Sequence, residues 1–315
     1  MNANKVVLIG AGMVGAATLN SILMLNLVSE LVVIDQNVQR AQGEVMDASH
    51  TTAFAYSSGA NIRVGTYADC KDARIIVMTA GPSIKPGEKM DRQILAQQNA
   101  GIMTQVMSEI TKYTQDAIII TVTNPVDVVT YLAKTRANYP GNKIFGTGTL
   151  LDTARMRQII AQQVGVDSKN VHGYVLGEHG NSAFIPWNLV DIAGVPVDQL
   201  DRAFHMKAPI DKEKVFEGTK SAGFDIIQLK GYTSSGIAMS VCRLIKAIIL
   251  DERSILPISV VLDGHYDTKN VALSVPCVVG KNGAEHILEV PLTSEERRQF
   301  KQCAQNLTDI LGKIS

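Results

Sequence analysis

The run Gly10-Ala11-Gly12-Met13-Val14-Gly15 closes a Val/Ile-rich segment and opens a stretch whose apolar residues recur three and four apart. Glycines at this spacing between a strand and a helix admit few folds. The first permits a tight turn, the second lets a ligand approach the main chain, and the third lets the helix pack on the strand. The helix N-terminus then offers unpaired amides to a phosphate. Asp35 stands 20 residues beyond Gly15, at the end of the next Val/Ile run. A carboxylate there can accept the hydroxyls of an adenosine ribose and repel a 2′-phosphate. Together these features predict a dinucleotide site built from Gly10, Gly12, Met13, Val14, Gly15 and Asp35, selective for NAD over NADP. Because FAD folds share the fingerprint, the cofactor class also needs support from the chemistry of the rest of the chain.

Short Val/Ile runs alternate with helix-length segments through the first half, which favours parallel strands joined by crossover helices. Strands are expected at about 5–10, 31–35, 61–65, 75–79, 117–122 and 143–146. Apolar spacing predicts helices over 13–26, 38–49, 92–113, 126–137 and 149–164. The result is an α/β, doubly wound parallel sheet (Rossmann), occupying a domain of residues 1–148. Beyond it the rhythm changes. Strands are expected near 171–176, 184–195, 258–262, 271–279 and 286–290, with long helices at 215–228 and 234–250, so residues 149–315 form a second, α+β lobe. Thr293-Ser294-Glu295-Glu296 is a helix start, with Thr293 and Glu296 placed for a reciprocal cap.

Lys plus Arg equals Asp plus Glu at 30 each among 315 residues, which removes the electrostatic case for nucleic acid or an anionic membrane. The cysteines (Cys70, Cys242, Cys277 and Cys303) show no Cys-x-x-Cys pair, so free buried thiols are expected and no metal. The first strand begins almost at Met1, leaving no room for a signal peptide, and no apolar run is long enough to span a membrane. A cytoplasmic protein with a small-molecule ligand is expected.

Gly177-Glu178-His179-Gly180 places a histidine between glycines at a strand end, where an imidazole can face a cleft. Leu151-Asp152-Thr153-Ala154-Arg155 opens a helix with Asp and Arg three apart on one face, and neighbouring leucines and isoleucines set that helix against the core. Taken alone, a satisfied histidine and a surface ion pair would be ordinary readings. Taken together, they match a reaction. Hydride delivery to a ketone leaves negative charge on oxygen and calls for a proton donor, a carboxylate to orient it and a nearby cation. A carboxylate substrate also needs an anchor, which Arg provides through its planar fork.

Over essentially its entire length the chain resembles the L-lactate dehydrogenase family, part of the lactate and malate dehydrogenase superfamily. The resemblance rests on the fingerprint at 10–15, Thr-Asn-Pro-Val-Asp at 123–127, Gly-Thr-Gly-Thr-Leu-Leu-Asp-Thr-Ala-Arg at 146–155, Gly-Glu-His-Gly at 177–180 and Lys-Gly-Tyr-Thr-Ser at 230–234. It implies NAD-dependent reduction of pyruvate to L-lactate. His179 is then the acid/base, Asp152 its orienting partner and Arg155 the carboxylate anchor. It also makes Asn124 a contact for substrate and nicotinamide, and puts Thr233 beside the reacting carbon. For Asn124 a simple Asn-Pro turn stays open as an alternative.

The polar stretch 82–92 resembles the family's lid, with Arg92 as the arginine that polarises the substrate carbonyl; a solvated helix-start arginine is the plainer reading. Ile84 stands where lactate dehydrogenases usually carry Gln and malate dehydrogenases Arg. With no second cation for a second carboxylate, oxaloacetate is disfavoured and a monocarboxylic 2-oxo acid expected. In this detail the lid is similar to that of L-2-hydroxyisocaproate dehydrogenases, which act on longer aliphatic 2-oxo acids. Arg157 and His172 match positions that cradle fructose 1,6-bisphosphate in allosteric bacterial lactate dehydrogenases, with an interface Arg and a solvated His as the bland alternative. The resemblance further implies a homotetramer or homodimer. A non-catalytic NAD-binding paralogue is the contrasting reading, and the intact Asp152, Arg155 and His179 set argues against it.

Overall fold

A computed structural model describes residues 4–54, 59–82 and 92–314, with the side chains of Arg92 and Gln93 excepted. Ile84 and the rest of 83–91 lie outside the described residues, and for Arg92 only its main-chain place at the head of a helix is described.

The first strands are Val/Ile/Leu runs buried on both faces, as parallel strands covered by helices must be. In chain order they are β1 (Lys5–Ile9), α1 (Met13–Met24), β2 (Glu30–Ile34), α2 (Val38–His50), β3 (Asn61–Val64), β4 (Ile75–Met78), α3 (Arg92–Ile110), β5 (Ile118–Thr121), α4 (Val126–Ala137) and β6 (Ile144–Gly146). They pair in parallel in the order β3-β2-β1-β4-β5-β6. The doubly wound sheet is therefore observed. Its order reverses between β1 and β4, which opens a crevice at their carboxyl ends. Alternation along β1 sends Val6 and Leu8 into one core with α1, and Val7 and Ile9 into another with Met103 and Met107 of α3. Each such buried side chain contributes about 1.5–3 kcal/mol.

The second half comprises α5 (Leu150–Val164), β7 (Val171–His172), β8 (Asp191–Ile192), β9 (Val195–Pro196), α6 (Leu200–Ala203), α7 (Lys212–Lys230), α8 (Ser235–Ile249), β10 (Ser254–Asp263), β11 (Lys269–Gly280), β12 (Gly283–Ile287) and α9 (Ser294–Ile314). Two expected strands are much shorter than their apolar content suggested. The 171–176 segment stops at His172, because Gly173 takes φ +133°. The 184–195 segment is a single bridge at Phe184, a 3-10 turn over Trp187–Leu189 after Pro186, and the short β8. Ala193 and Gly194 then turn the chain with positive φ.

Here β10 runs antiparallel to β6 through Ser259 opposite Gly146, so β10, β11 and β12 extend the first sheet to nine strands. β7, β8 and β9 form a separate small sheet over a third core with Met156 and Ile160 of α5 and Val215 of α7. The predicted cap of the last helix is present. Thr293 N–H donates to Glu296 Oε2 at 2.8 Å, and Glu296 N–H donates to Thr293 Oγ1 at 3.2 Å. All four cysteines are free and buried. Among the described residues no helix is long and apolar enough to cross a membrane.

Candidate active site

The fingerprint turn leaves β1 at the crevice. Gly10 takes φ +105°, and a Cβ there would come within 2.7 Å of the Ala80 nitrogen beyond β4. A Cβ on Gly15 would lie 1.9 Å from the Gly10 oxygen, so only glycine lets α1 sit this close to the strand end. Thr79 Oγ1 donates to the Gly10 oxygen at 2.9 Å and pins the turn. Gly12 differs. Nothing lies within 4 Å of its virtual Cβ, and α1 begins there without a side-chain cap or an acidic residue in its first turn. Open space in front of uncapped amides fits a pyrophosphate. Met13 is exposed at the mouth of this turn and Val14 half-buried. Asp35, just past β2, accepts from Ala11 N–H at 2.6 Å and Asn37 N–H at 2.7 Å, which leans its carboxylate over the fingerprint. The expected dinucleotide residues are thus brought together, and they fit NAD.

His179 follows a glycine that the packing requires. Gly177 takes φ +91°, and a Cβ on it would meet Cys303 Sγ of α9 at 2.6 Å. Both main-chain bonds of Gly177 go to Ser274 of β11, at 3.0 and 2.8 Å. His179 Nδ1 then lies 2.6 Å from Asp152 Oδ2. A carboxylate can only accept, so Nδ1 carries the proton and Nε2 is the ring nitrogen left for a ligand. Arg155 Nη1 donates to the other Asp152 oxygen at 3.0 Å, within the i,i+3 pair on α5. The pair is not a solvated one: the Asp152 side chain is 12% exposed and that of Arg155 16%. Burial would raise the Asp152 pKa, but His179 and Arg155 hold it below the ordinary carboxylate value. Burial would likewise lower the His179 pKa. The Asp152 charge and hydrogen bond, helped by Asp127, overcome it and raise the imidazole from 6.5 to about 9.

These groups open on a cleft of about 530 Å³ that Asn124, Asp152, Arg155 and His179 all line. Asn124 follows β5 in a cis Asn-Pro turn. Its carbonyl accepts from Asn99 Nδ2 at 2.6 Å and its Oδ1 from Val126 N–H at 3.3 Å. Thr233 is half-buried in the turn between α7 and α8 and is not among the residues lining the cleft.

Arg157 and His172 sit away from this cleft. Arg157 Nη2 donates to the Gly173 oxygen at 3.1 Å, while its Nε is buried without a partner among the described residues. Burial lowers the Arg157 pKa, as expected of a cation short of counter-charge. The exposed His172 ring faces Asp191 at 3.3 Å.

Sequence reasoning missed one wall of the cleft. Phe216, Thr219, Gly223 and Ile227 of α7 all line it. Their spacing of three and four was visible, but nothing in it said which element the face would meet. Two lysines at the cleft were also uncounted. Lys220 is engaged with Glu217 at 3.0 Å and lies over the Phe216 ring, and Lys313 is exposed at the end of α9. Asp127, inside a recognised motif, had no assigned role. Its Oδ2 accepts from His179 N–H at 2.7 Å and its Oδ1 from Ser259 Oγ at 2.6 Å. No group of His, Cys, Asp or Glu suited to a metal occurs among the described residues.

The family described as lactate/malate dehydrogenase, NAD binding domain, matches residues 4–146, and its alpha/beta C-terminal domain matches residues 149–315. The L-lactate dehydrogenase 2 of Clostridium acetobutylicum is 55% identical over 312 residues, spanning 99% of this chain and 98% of that protein. The L-lactate dehydrogenase of Selenomonas ruminantium is 48% identical over 310 residues, 98% of each chain. Among solved structures, the minor L-lactate dehydrogenase from Enterococcus mundtii superimposes with a TM-score of 0.94 at 34% identity, covering 100% of this chain and 99% of its own. Matches of this extent leave one conclusion: the chain belongs to the lactate/malate dehydrogenase family.

Proposed function

We propose that this chain is a cytoplasmic L-lactate dehydrogenase that reduces pyruvate with NADH and assembles as a homotetramer or homodimer. The observation that carries the reading is the His179–Asp152–Arg155 array, which opens on a cleft that Asn124 also lines, at the carboxyl end of the dinucleotide sheet. NADH, when bound, supplies the hydride. His179 gives the Nε2 proton to the carbonyl oxygen as negative charge develops there, and Asp152 stabilises the imidazolium beforehand. Arg155 uses one donor on Asp152 and keeps the rest of its fork for the substrate carboxylate. Arg92 is assigned to polarising the carbonyl, Asn124 to contacting the substrate and, when NADH is bound, its nicotinamide, and Thr233 to the pocket beside the reacting carbon. Residues 1–148 act as the cofactor domain and 149–315 as the substrate domain, a division supported by the family matches.

A second reading, activity on longer aliphatic 2-oxo acids, is favoured by Gly223. It lines the cleft where a Cβ would come within 3.4 Å of the Arg155 guanidinium, so its absence leaves room beside the anchored substrate. NADH oxidation with pyruvate, 2-oxobutyrate, 2-oxoisocaproate and oxaloacetate decides between the readings. Pyruvate is expected to lead and oxaloacetate to be poor. Ile84→Gln is expected to lower kcat/KM for 2-oxoisocaproate relative to pyruvate by roughly three- to tenfold, because an apolar contact is exchanged for an amide. An unchanged ratio removes Ile84 from specificity.

Fructose 1,6-bisphosphate is proposed as an activator bound at Arg157 and His172. The support is the unpartnered Arg157 Nε together with the neighbouring His172 on β7. Adding the sugar bisphosphate should lower the KM for pyruvate in the wild type and leave Arg157→Gln unaffected. Equal response in the two proteins refutes the site.

A further inference from the structure

We propose that Asp127 is a positioning residue for this reaction, holding the main chain of His179 from α4 while Asp152 holds its ring from α5. The inference rests on the reading of His179 as proton donor.

The histidine is gripped at both ends by carboxylates from different elements. Asp152 takes ring Nδ1 at 2.6 Å, and Asp127 takes the backbone N–H at 2.7 Å. Asp127 is 2% exposed and lies in the first turn of α4, three residues beyond Asn124. The turn that delivers Asn124 to the cleft thus also delivers the carboxylate that anchors His179. On the far side Ser259 Oγ of β10 donates to Asp127 Oδ1 at 2.6 Å. The partners lie 52 and 132 residues away in sequence, so a single side chain joins the first half of the chain to the catalytic segment and to β10.

A carboxylate buried this deeply is costly unless its charge is compensated. An asparagine could still accept from His179 N–H through its oxygen and donate its amide N–H to a reversed Ser259 hydroxyl, so these two bonds alone do not require a charge. Among the described residues no lysine or arginine is paired with it, and the cation that its charge acts on is the His179 imidazolium. Facing the imidazole are Asp152 and Arg155 from α5 and Asp127 from α4, while Glu178 of its own segment lines the same cleft. Lys220 of α7 and Lys313 of α9 line the same cleft, and the buried Cys303 thiol of α9 lies close to Gly177. Facing Asp127 are Ser259, His179 and Glu178. Burial pushes the Asp127 carboxyl up to about 6, against the pull of Ser259 and the His179 amide. Near neutrality it is therefore mostly ionised and supports a protonated His179. Below about 6 it takes a proton; Asp152 still keeps the imidazole protonated there, but the neutral Asp127 carboxyl holds the His179 N–H more weakly, and the positioning is loosened.

The test is the pH profile of pyruvate reduction for the wild type, Asp127→Asn and Ser259→Ala, with the KM for NADH and thermal unfolding measured alongside. The wild type should show an acidic limb near 6 and an alkaline limb near 9, both read as apparent values of a coupled set. Asn preserves the shape but not the charge. Asp127→Asn should lower kcat about tenfold or more, move the alkaline limb down by about one pH unit and abolish the acidic limb, with the KM for NADH unchanged. Ser259→Ala removes a bond that lowers the Asp127 pKa, so it should move the acidic limb upward and leave the alkaline limb in place. An alkaline limb that stays put in Asp127→Asn overturns the proposal, whatever the change in unfolding temperature. If that variant does not fold, an unmoved acidic limb in Ser259→Ala overturns it instead. Loss of activity in His179→Asn, measured in parallel, separates failure of this inference from failure of the proton-donor reading.

Discussion

His179→Asn is expected to lower kcat/KM for pyruvate reduction by about 10³-fold, within the range that a positioned general acid contributes. The asparagine occupies similar space and can still meet Asp152, but it has no proton to give at Nε2. The fingerprint turn and Asp35 are built from other elements, so the dissociation constant for NADH should stay within about threefold. Single-turnover NADH oxidation and fluorescence titration of NADH measure the two quantities separately. Retention of wild-type reduction would remove His179 from the chemistry. The same proton sets a pH dependence with a definite sign. His179 titrates at about 9, so reduction holds steady near neutrality and falls as pH rises through about 9. Oxidation of the 2-hydroxy acid needs the neutral imidazole and should rise over the same interval.

Asp152→Asn should be nearly as damaging, and for a different reason. Replacing a histidine-orienting carboxylate by its amide costs about 10⁴-fold in a well-studied triad, because tautomer and charge are lost while shape is kept. Here the amide would also leave Arg155 without its 3.0 Å ionic partner. Burial lowers the His179 pKa, and the Asp152 charge is the leading opposing influence. Without it burial is opposed only by Asp127, so the imidazole should titrate well below 9, moving the alkaline limb of reduction down by roughly two pH units. An unshifted limb, with kcat within about fivefold of wild type, would show that Asp152 is not the partner that sets the proton. The Asp127→Asn shift should be smaller in the same direction, since Asp127 meets the main chain and not the ring.

Several elements were legible because local pattern and tertiary environment agree. Helix α4 was expected over 126–137 and is found over Val126–Ala137, where Pro125 starts it and a left-handed Asn138 ends it. The last helix was readable from Thr293 and Glu296, whose reciprocal bonds are both present. The 184–195 segment misled for the opposite reason. Its apolar content suggested one long strand, but Ala193 and Gly194 adopt positive φ, and Ile185, Val190 and Ile192 are buried in the third core with only a short ladder at β8 and β9. Apolar spacing reports that a segment is buried more reliably than it reports which neighbour buries it.

The amino-acid sequence by itself determined the cofactor turn and the residue types on which the proposed chemistry rests. Glycine spacing is a local steric property, Asp35 lies one strand away, and the motifs name the histidine, carboxylate and arginine that hydride chemistry needs. Only the tertiary structure decided how these groups act on one another. The His179–Asp152 contact spans 27 residues, and the His179–Asp127 contact spans 52. The α7 wall meets the cleft only because α5 and α7 pack together. Such contacts depend on which buried faces meet across the core, and burial is non-directional until the whole chain has chosen its packing. The raised proton affinity of His179 is of the same kind. It belongs to no residue in the sequence, and it exists because two carboxylates from different helices, one at the ring and one at the main-chain amide, are held against one histidine.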